Sequence, residues 1–448
     1  MLERFGKRRF THVQIIALGF FIMIALGTAL LMLPCATAEG VSAPFNVALL
    51  TATSASCVTG LVLVDTGTYW SLFGQIVILL LIQVGGLGFM SIATMFFLLL
   101  RKRIGLRQRE VMSESINVSQ IGGVLALTRT IVLGTILIEA VGALLLSIRF
   151  VPEFGLWRGL YFSLFHAVSA FCNAGFDLMG VKEPFSSMTG YSGDALVNLT
   201  LVALIAIGGF GFLVWEDVRC HGLRFRRYRL HSKLVLTVSA VLTLGGALLF
   251  YLFERKGLCA GRSAGEQILT VLFDAVAPRT AGFNTTDTAA LSNGSRLLTM
   301  FLMLVGGSPG STAGGIKTTT LCVLALHTIA GFRHGRSTNV YGRRLEQEAI
   351  DKAARVFFTN LSLAFFGALV IMGVQELRFS DVLFEVFSAI GTVGMTTGVT
   401  RELLPLSQMV IILLMYCGRV GSVSFGLALL EKRAPARVEN PVERITIG

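Results

Sequence analysis

Charge is what this sequence has least of. Asp, Glu, Lys and Arg together make up 14% of its 448 residues, where soluble domains hold roughly 25%. Such a chain cannot clothe itself in the charged surface of a soluble protein. Its seven cysteines include no C-x-x-C pair and lie mostly in or beside apolar runs, so neither a disulfide framework nor a zinc site is expected. The basic start is followed by a long apolar run without an A-x-A cleavage site. That segment is a first membrane helix rather than a removed signal peptide. No Ser/His/Asp or Cys/His constellation stands out, so an enzyme is not expected.

What the chain does have is hydrophobic runs, within a composition that is 54% hydrophobic. About 20 apolar residues span the hydrocarbon layer. Eight segments reach that length: 13–33, 71–100, 130–148, 195–215, 234–253, 297–316, 356–375 and 403–430. Six carry no charge, the third holds Glu139 and the eighth Arg419. An even number of crossings puts both termini on one side. The net charge of +12 is unevenly spread: 25 of 38 Lys and Arg fall in 1–12, 101–109, 219–233, 333–355 and 432–444. By the positive-inside rule these segments and both termini are cytoplasmic, in a multi-pass protein of the cell (inner) membrane. The basic loops suit the anionic headgroups of the lipid bilayer, and no nucleic-acid partner is expected.

Four shorter apolar stretches sit on the opposite side, at 44–56, 157–171, 265–277 and 379–390. Each is too short to cross the membrane, and each runs into a glycine: CVTGL, CNAGF, RTAGF and TVGMT. Aligned on Gly60, Gly175, Gly282 and Gly394, the units are spaced by 115, 107 and 112 residues. Five residues before each glycine stands Ala55, Ala170, Ala277 or Ala389; one earlier stands Ser54, Ser169, Val276 or Ser388. Downstream come VGGLGF at 84–89, IGGFGF at 207–212, VGGSPG at 305–310 and CGRVG at 417–421. Glycine and alanine are common in membrane helices, but one coincidence does not repeat four times in phase. The expected fold is an all-α membrane protein. It forms a single membrane domain, 1–448, of four helix–pore loop–helix units in pseudo-fourfold arrangement, bounded at about 1–110, 111–222, 223–340 and 341–448.

Non-helical backbone at membrane depth survives only where it lines a cavity or is buried in protein. Four half-helices ending in glycine-bearing loops would converge on one axis and present rings of carbonyls, which replace the hydration shell of potassium. Glycine admits positive φ, so successive carbonyls can face inward. The negative end of each half-helix dipole favours a cation there. The candidate carbonyls are those of Val58, Thr59 and Gly60; Asn173, Ala174 and Gly175; Thr280, Ala281 and Gly282; and Thr392, Val393 and Gly394. Side chains vary at these positions, which suits backbone coordination.

These features resemble the Trk/Ktr/HKT superfamily of potassium transporters over nearly the whole chain, and chain length resembles the Ktr membrane subunit most. The most specific stretch is GGSPGSTAGGIKT at 306–318. The resemblance implies potassium uptake through a selectivity filter, with this stretch as an intramembrane gate. Its residues are Gly306, Gly307, Ser308, Pro309, Gly310, Ser311, Thr312, Ala313, Gly314, Gly315, Ile316 and Lys317, and Arg419 acts as a cation barrier or latch. It also implies a homodimer and a separate cytosolic RCK-type nucleotide-binding subunit, with no nucleotide on this chain; the sequence leaves open whether sodium drives transport or serves as an activator. All four filter glycines match the potassium-selective pattern.

Physically, eleven residues of 306–318 are Gly, Ser, Pro, Thr or Ala, a composition that cannot hold a helix. Its likeness to a phosphate-binding loop fails, because Ile316 separates Gly315 from Lys317. Arg419 takes the slot of Gly86, Gly209 and Gly307 in the other units; it either serves the gate or makes a structural contact. Lys317 either serves the gate or reaches the cytoplasmic surface. Asp65, Asp177, Asp287 and Glu402 follow the filters, as cation-concentrating groups or ordinary loop acids. Arg279 is expected to pair with Asp274 or Glu385, His166 to be packed, and Glu139 to face protein. A solute carrier built on inverted repeats is the rival, but all four units here share one topology.

Overall fold

The computed structural model describes residues 11–88, 124–333 and 337–421, with 443 and 446. The described chain is helical, apart from a two-residue hairpin pairing Asn339–Val340 with Arg343–Arg344.

The first unit contains α1 (His12–Leu31), α2 (Phe45–Cys57) and α3 (Leu72–Leu87). The second contains α4 (Val124–Phe154), α5 (Leu156–Phe171), α6 (Ala195–Phe210) and α7 (Phe212–His221). In the third are α8 (Leu230–Glu254), α9 (Ala264–Val276), α10 (Asn293–Leu304) and α11 (Thr318–Phe332). The fourth has α12 (Gln347–Val374), α13 (Phe379–Gly391) and α14 (Pro405–Val420). Hence each unit is an outer helix, a short pore helix and an inner helix. Starts are set locally: Thr11 and Gln14 form a capping box on α1, as do Ser263 and Glu266 on α9, and Asp194 caps α6.

Only the four outer helices, α1, α4, α8 and α12, are long and apolar enough to cross a membrane unbroken among the described residues. The inner helices stop short of the expected spans. α3, α6 and α14 end at Gly88, Gly211 and Gly421, with φ of 79°, 90° and 97°. These three glycines occupy one repeat position. At Gly211 the chain turns by 96° into α7, so 195–215 is two helices and not one span. The third inner helix, expected over 297–316, stops at Leu304, where the glycine-rich stretch begins. The parts of the second and eighth expected spans at 89–100 and 422–430, and the unit boundary at 110–111, lie outside the described residues.

The units close into a ring. Each pore helix packs against its own outer and inner helices and against the inner helix of the unit before it: α3 on α5, α6 on α9, α10 on α13 and α14 on α2. The C-terminal parts of the pore helices are buried, whereas Leu26, Leu137, Leu144, Leu248, Phe366 and Leu369 on the outer helices are exposed. Lipid tails are as apolar as these side chains, so association depends on close packing of small residues. The repeated downstream glycines supply it. A Cβ on Gly85, Gly208 or Gly418 would lie 2.1, 2.0 or 2.2 Å from the carbonyl oxygen of Ser56, Phe171 or Ile390, the same position on three pore helices.

Candidate ion pathway

The four pore helices point their C-terminal ends at one another, and their negative dipole ends meet where the four glycines meet. A Cβ on Gly60 would lie 3.1 Å from the Cα of Gly175; on Gly175, 2.8 Å from that of Gly282; on Gly282, 3.4 Å from that of Gly394; and on Gly394, 2.9 Å from that of Gly60. The circuit is closed. The nearest obstacles to such Cβ atoms include the carbonyl oxygens of Ala174, Ala281, Val393 and Thr59, at 2.5, 2.9, 2.5 and 2.0 Å.

The backbone alternates in hand along each strand. The glycines have φ of 96°, 70°, 76° and 96°. Two residues earlier, Val58, Asn173, Thr280 and Thr392 have φ of 57°, 58°, 71° and 52°. The residue between keeps φ negative in all four. Alternation of this kind turns successive carbonyls to the same side. Asn tolerates the left-handed region, but β-branched Val and Thr pay about 1–2 kcal/mol for it. Nothing in the residue types announced it.

Each strand is tied to its pore helix. The amides of Gly60 and Gly394 donate to the hydroxyls of Ser54 and Ser388, at 2.9 and 3.0 Å. Ser169 instead donates to Phe176 O, at 2.7 Å, and Val276 has no hydroxyl. A second set of ties comes from deeper in the pore helices. Glu385 accepts from Thr396 and Thr400, Asp274 accepts from Thr286 at 3.1 Å, and His166 Nε2 accepts from the Leu178 amide at 3.2 Å. His166 Nδ1 lies 2.7 Å from Phe162 O, so the ring is a packed neutral imidazole, as expected.

Outside the ring is a cavity of about 190 Å³ with all four glycines in its lining. Asp65, Asp177 and Asp287 line it together with Arg401; Glu402 does not. Asp65 is also structural, accepting from the amides of Gly67, Thr68 and Phe185. Arg401 stacks over Phe185, 4.2 Å from the ring centroid.

Inside the ring lies the stretch 305–317, free of helix as its composition requires. Its neck is pinched where Gly306 N donates to Ile316 O, at 2.9 Å, and Ser308 and Thr318 hydroxyls meet at 2.9 Å. It then bonds to glycine carbonyls of its neighbours: Ser308 N and Thr312 N to Gly209 O and Gly208 O, at 2.9 and 3.3 Å, and Gly315 N to Gly418 O at 3.3 Å. Gly310 O accepts from Phe212 N at the Gly211 bend, at 2.7 Å. Arg419 completes the circle. Its guanidinium donates to Thr312 O on the loop and to Gly85 O and Gly86 O on α3.

The sequence profile of the family described as cation transport protein, TrkH, matches residues 8–434. The chain belongs to that family. It is 42% identical to the potassium/sodium uptake protein NtpJ of Enterococcus hirae, over all of both chains. It is also 42% identical to the Ktr system potassium uptake protein B of Bacillus subtilis, covering 93% of this chain and 92% of the relative. The protein of that name from Vibrio alginolyticus is 33% identical over 97% and 94%. Among solved structures, the potassium transporter TrkH from Vibrio parahaemolyticus shares the fold, with a TM-score of 0.75 at 17% identity over 95% of this chain and 86% of that one. The protein is therefore a multi-pass membrane cation transporter and not an enzyme.

Three charged side chains in this TrkH-family member resolve the alternatives their positions left open, and one of them, Arg279, departs from expectation. Lys317 does not reach the surface; it folds back onto its own loop, donating to Ala313 O and Gly314 O at 2.7 and 3.2 Å. Arg279 pairs with neither carboxylate. Its donors reach Ser239 and Thr243 on α8, at 3.1 and 3.5 Å, while Asp274 and Glu385 are engaged by the threonines of their own units. Glu139 does face protein: it is buried and accepts from Gln83 Nε2 at 3.2 Å, with Cys172 Sγ 3.9 Å away. Gln83 and Cys172, the neighbours of Glu139, carry no signal in the residue patterns.

Proposed function

We propose that this protein takes up potassium across the cell (inner) membrane through one axial pathway. Carbonyls of Val58–Gly60 and of the matching strands at 173–175, 280–282 and 392–394 form its selectivity filter. The stretch 306–318 with Arg419 forms its gate. The observation that carries this is the closed circuit of four glycines, each beside its neighbour's carbonyl and each preceded by a strand of alternating hand. Such a ring offers oxygens at fixed positions in place of a hydration shell. Directly inside it, Arg419 adds a cation bonded only to carbonyls, with Lys317 also held by carbonyls of the loop, a barrier to a cation leaving the filter.

The names of the relatives, potassium/sodium uptake protein and Ktr system potassium uptake protein B, support potassium as the transported ion. Membership of a named system supports a partner, which we take to be a cytosolic RCK-type nucleotide-binding subunit acting on a homodimer of this chain, with sodium as activator. The basic segments 219–233 and 333–355 support cytoplasmic termini, and the in-phase glycines support unit boundaries near 110, 222 and 340. Potassium and sodium flux into proteoliposomes, with and without such a subunit, tests the reading. Equal permeation of both ions by the wild-type chain would refute the filter.

A further inference from the structure

Among the described residues, Thr312 is the one loop residue whose side chain bonds directly to a filter strand. Its hydroxyl donates to Phe171 O, at 3.0 Å, and accepts from the side-chain amide of Asn173, at 3.2 Å. Phe171 is the last residue of α5, and Asn173 is the left-handed residue that begins the second filter strand. All three residues are fully buried. The main chain of Thr312 is held separately, by Gly208 O and by Arg419. One residue thus joins the filter, the second inner helix and the latch.

The other strands meet the loop without such a bond. The hydroxyl of Thr392 would lie 2.1 Å from a Cβ on Gly314, and the methyl of Thr280 3.1 Å from one on Gly306. The hydroxyls of Thr280 and Thr392 have no hydrogen-bond partner. The first strand has Val58 at this position, which offers no polar atom at all. The polar contact between loop and filter is therefore concentrated in the second unit.

We infer that Thr312 is a specificity-determining positioning residue: its hydroxyl holds the second filter strand in the potassium-selective shape, so that ion selection depends on the loop as well as on the filter. This rests on reading the glycine ring as the filter and 306–318 as the gate. Without the hydroxyl, Phe171 O and the Asn173 amide are left buried and unpaired, and a strand already in the left-handed region loses its only side-chain anchor to the loop. A gate residue that merely blocked the path would alter the flux of all cations alike. A strand that shifts alters their ratio.

The test compares Thr312→Val, which removes the hydroxyl at near-constant volume, with Thr312→Ser, which keeps it, and with Arg419→Ala, which frees the loop main chain but leaves the hydroxyl bonds. Potassium and sodium uptake are measured in proteoliposomes at matched amounts of full-length protein. Thr312→Val raises the sodium-to-potassium uptake ratio by roughly tenfold, the effect of one buried hydrogen bond. Thr312→Ser keeps the wild-type ratio, and Arg419→Ala raises flux at the wild-type ratio. A wild-type ratio in Thr312→Val, whatever its flux, overturns the inference; so does an equally altered ratio in Thr312→Ser. Failure of the gate reading looks different, because Arg419→Ala then leaves flux unchanged. If Thr312→Val does not reach the membrane, Thr312→Ala has the same expectation. A second readout is the potassium concentration giving half-maximal protection against thermal unfolding. It rises roughly tenfold in the hydroxyl-less variant, and an unaltered value overturns the inference.

Discussion

A Cβ on Gly394 would stand 2.0 Å from the carbonyl oxygen of Thr59, across the boundary between the fourth and first units. No flexible side chain absorbs that clash, since the obstacle is backbone, and it recurs around the ring.

Serine in place of Gly60 meets the Ala174 carbonyl at 2.5 Å and must also hold φ near 96°. The strand has to move, and the oxygens that replace water move with it. We predict a loss of potassium-over-sodium discrimination of tenfold or more, about 1.4 kcal/mol, read as the ratio of uptake rates at matched protein levels. An unchanged ratio would place Gly60 outside the filter.

Packing of the inner helices gives a stability prediction. Gly85→Ala puts a methyl group 2.1 Å from Ser56 O, an overpacking that costs about 1–3 kcal/mol. Gly245→Ala, in α8, meets nothing within 4 Å, and stiffens the unfolded chain by about 0.4–1 kcal/mol. Detergent-solubilised protein should melt lower than wild type in the first variant and at or above it in the second. Equal melting temperatures for the two would mean that the close approach of α3 to α2 contributes nothing.

How far the sequence could be read differs from element to element. The pore helices were found to within a residue or so, because a short apolar run ending at a glycine has few alternatives at membrane depth. The helix ends at Gly88, Gly211 and Gly421 leave no mark in the hydropathy, which continues through them: 195–215 is apolar on both sides of a 96° turn. The left-handed backbone of Val58, Thr280 and Thr392 gave no signal, since it is imposed by the ring and opposes the residues' own preference. Charge alone points Arg279 to a carboxylate. Its actual acceptors, Ser239 and Thr243, are brought to it by the packing of α8 against α9. Arg419 was legible because it breaks a fourfold pattern; Thr312 was only one small residue among many.

The outer mouth predicts a pH dependence. Asp177 lies beyond the filter and outside the spanning helices, in the lining of the outer cavity. Burial pushes its carboxyl up to about 7, with the Asp65 carboxylate adding to the rise and the Met179 amide opposing it. Above that value the group is an anion at the entrance; below it the charge is lost. The potassium concentration for half-maximal uptake should therefore rise as external pH falls from 8 to 6, and Asp177→Asn should flatten that dependence. A dependence of wild-type size in Asp177→Asn would assign the titration elsewhere.

The gate can be removed in two ways that differ in what they leave behind. Deleting 308–314 takes away the loop segment that bonds to Gly208, Gly209 and Phe212, and flux should rise. Arg419→Ala leaves the loop but removes the one side chain that, among the described residues, ties it to the first unit, where the Gly85 and Gly86 carbonyls close the circle. Flux should rise here too, by less, and control by a regulatory subunit should loosen. Arg419→Lys discriminates between charge and geometry. A lysine keeps the positive charge below the filter, but its compact ammonium lacks the planar fork that reaches Thr312 O and α3 together. Electrostatic repulsion of the permeating ion would then persist while the latch is lost, so flux should fall between wild type and Arg419→Ala. If Arg419→Lys equals wild type, the barrier is charge alone. If it equals Arg419→Ala, the latch is the whole effect; and if Arg419→Ala itself keeps wild-type flux and regulation, the arginine only satisfies the carbonyls where α3 ends.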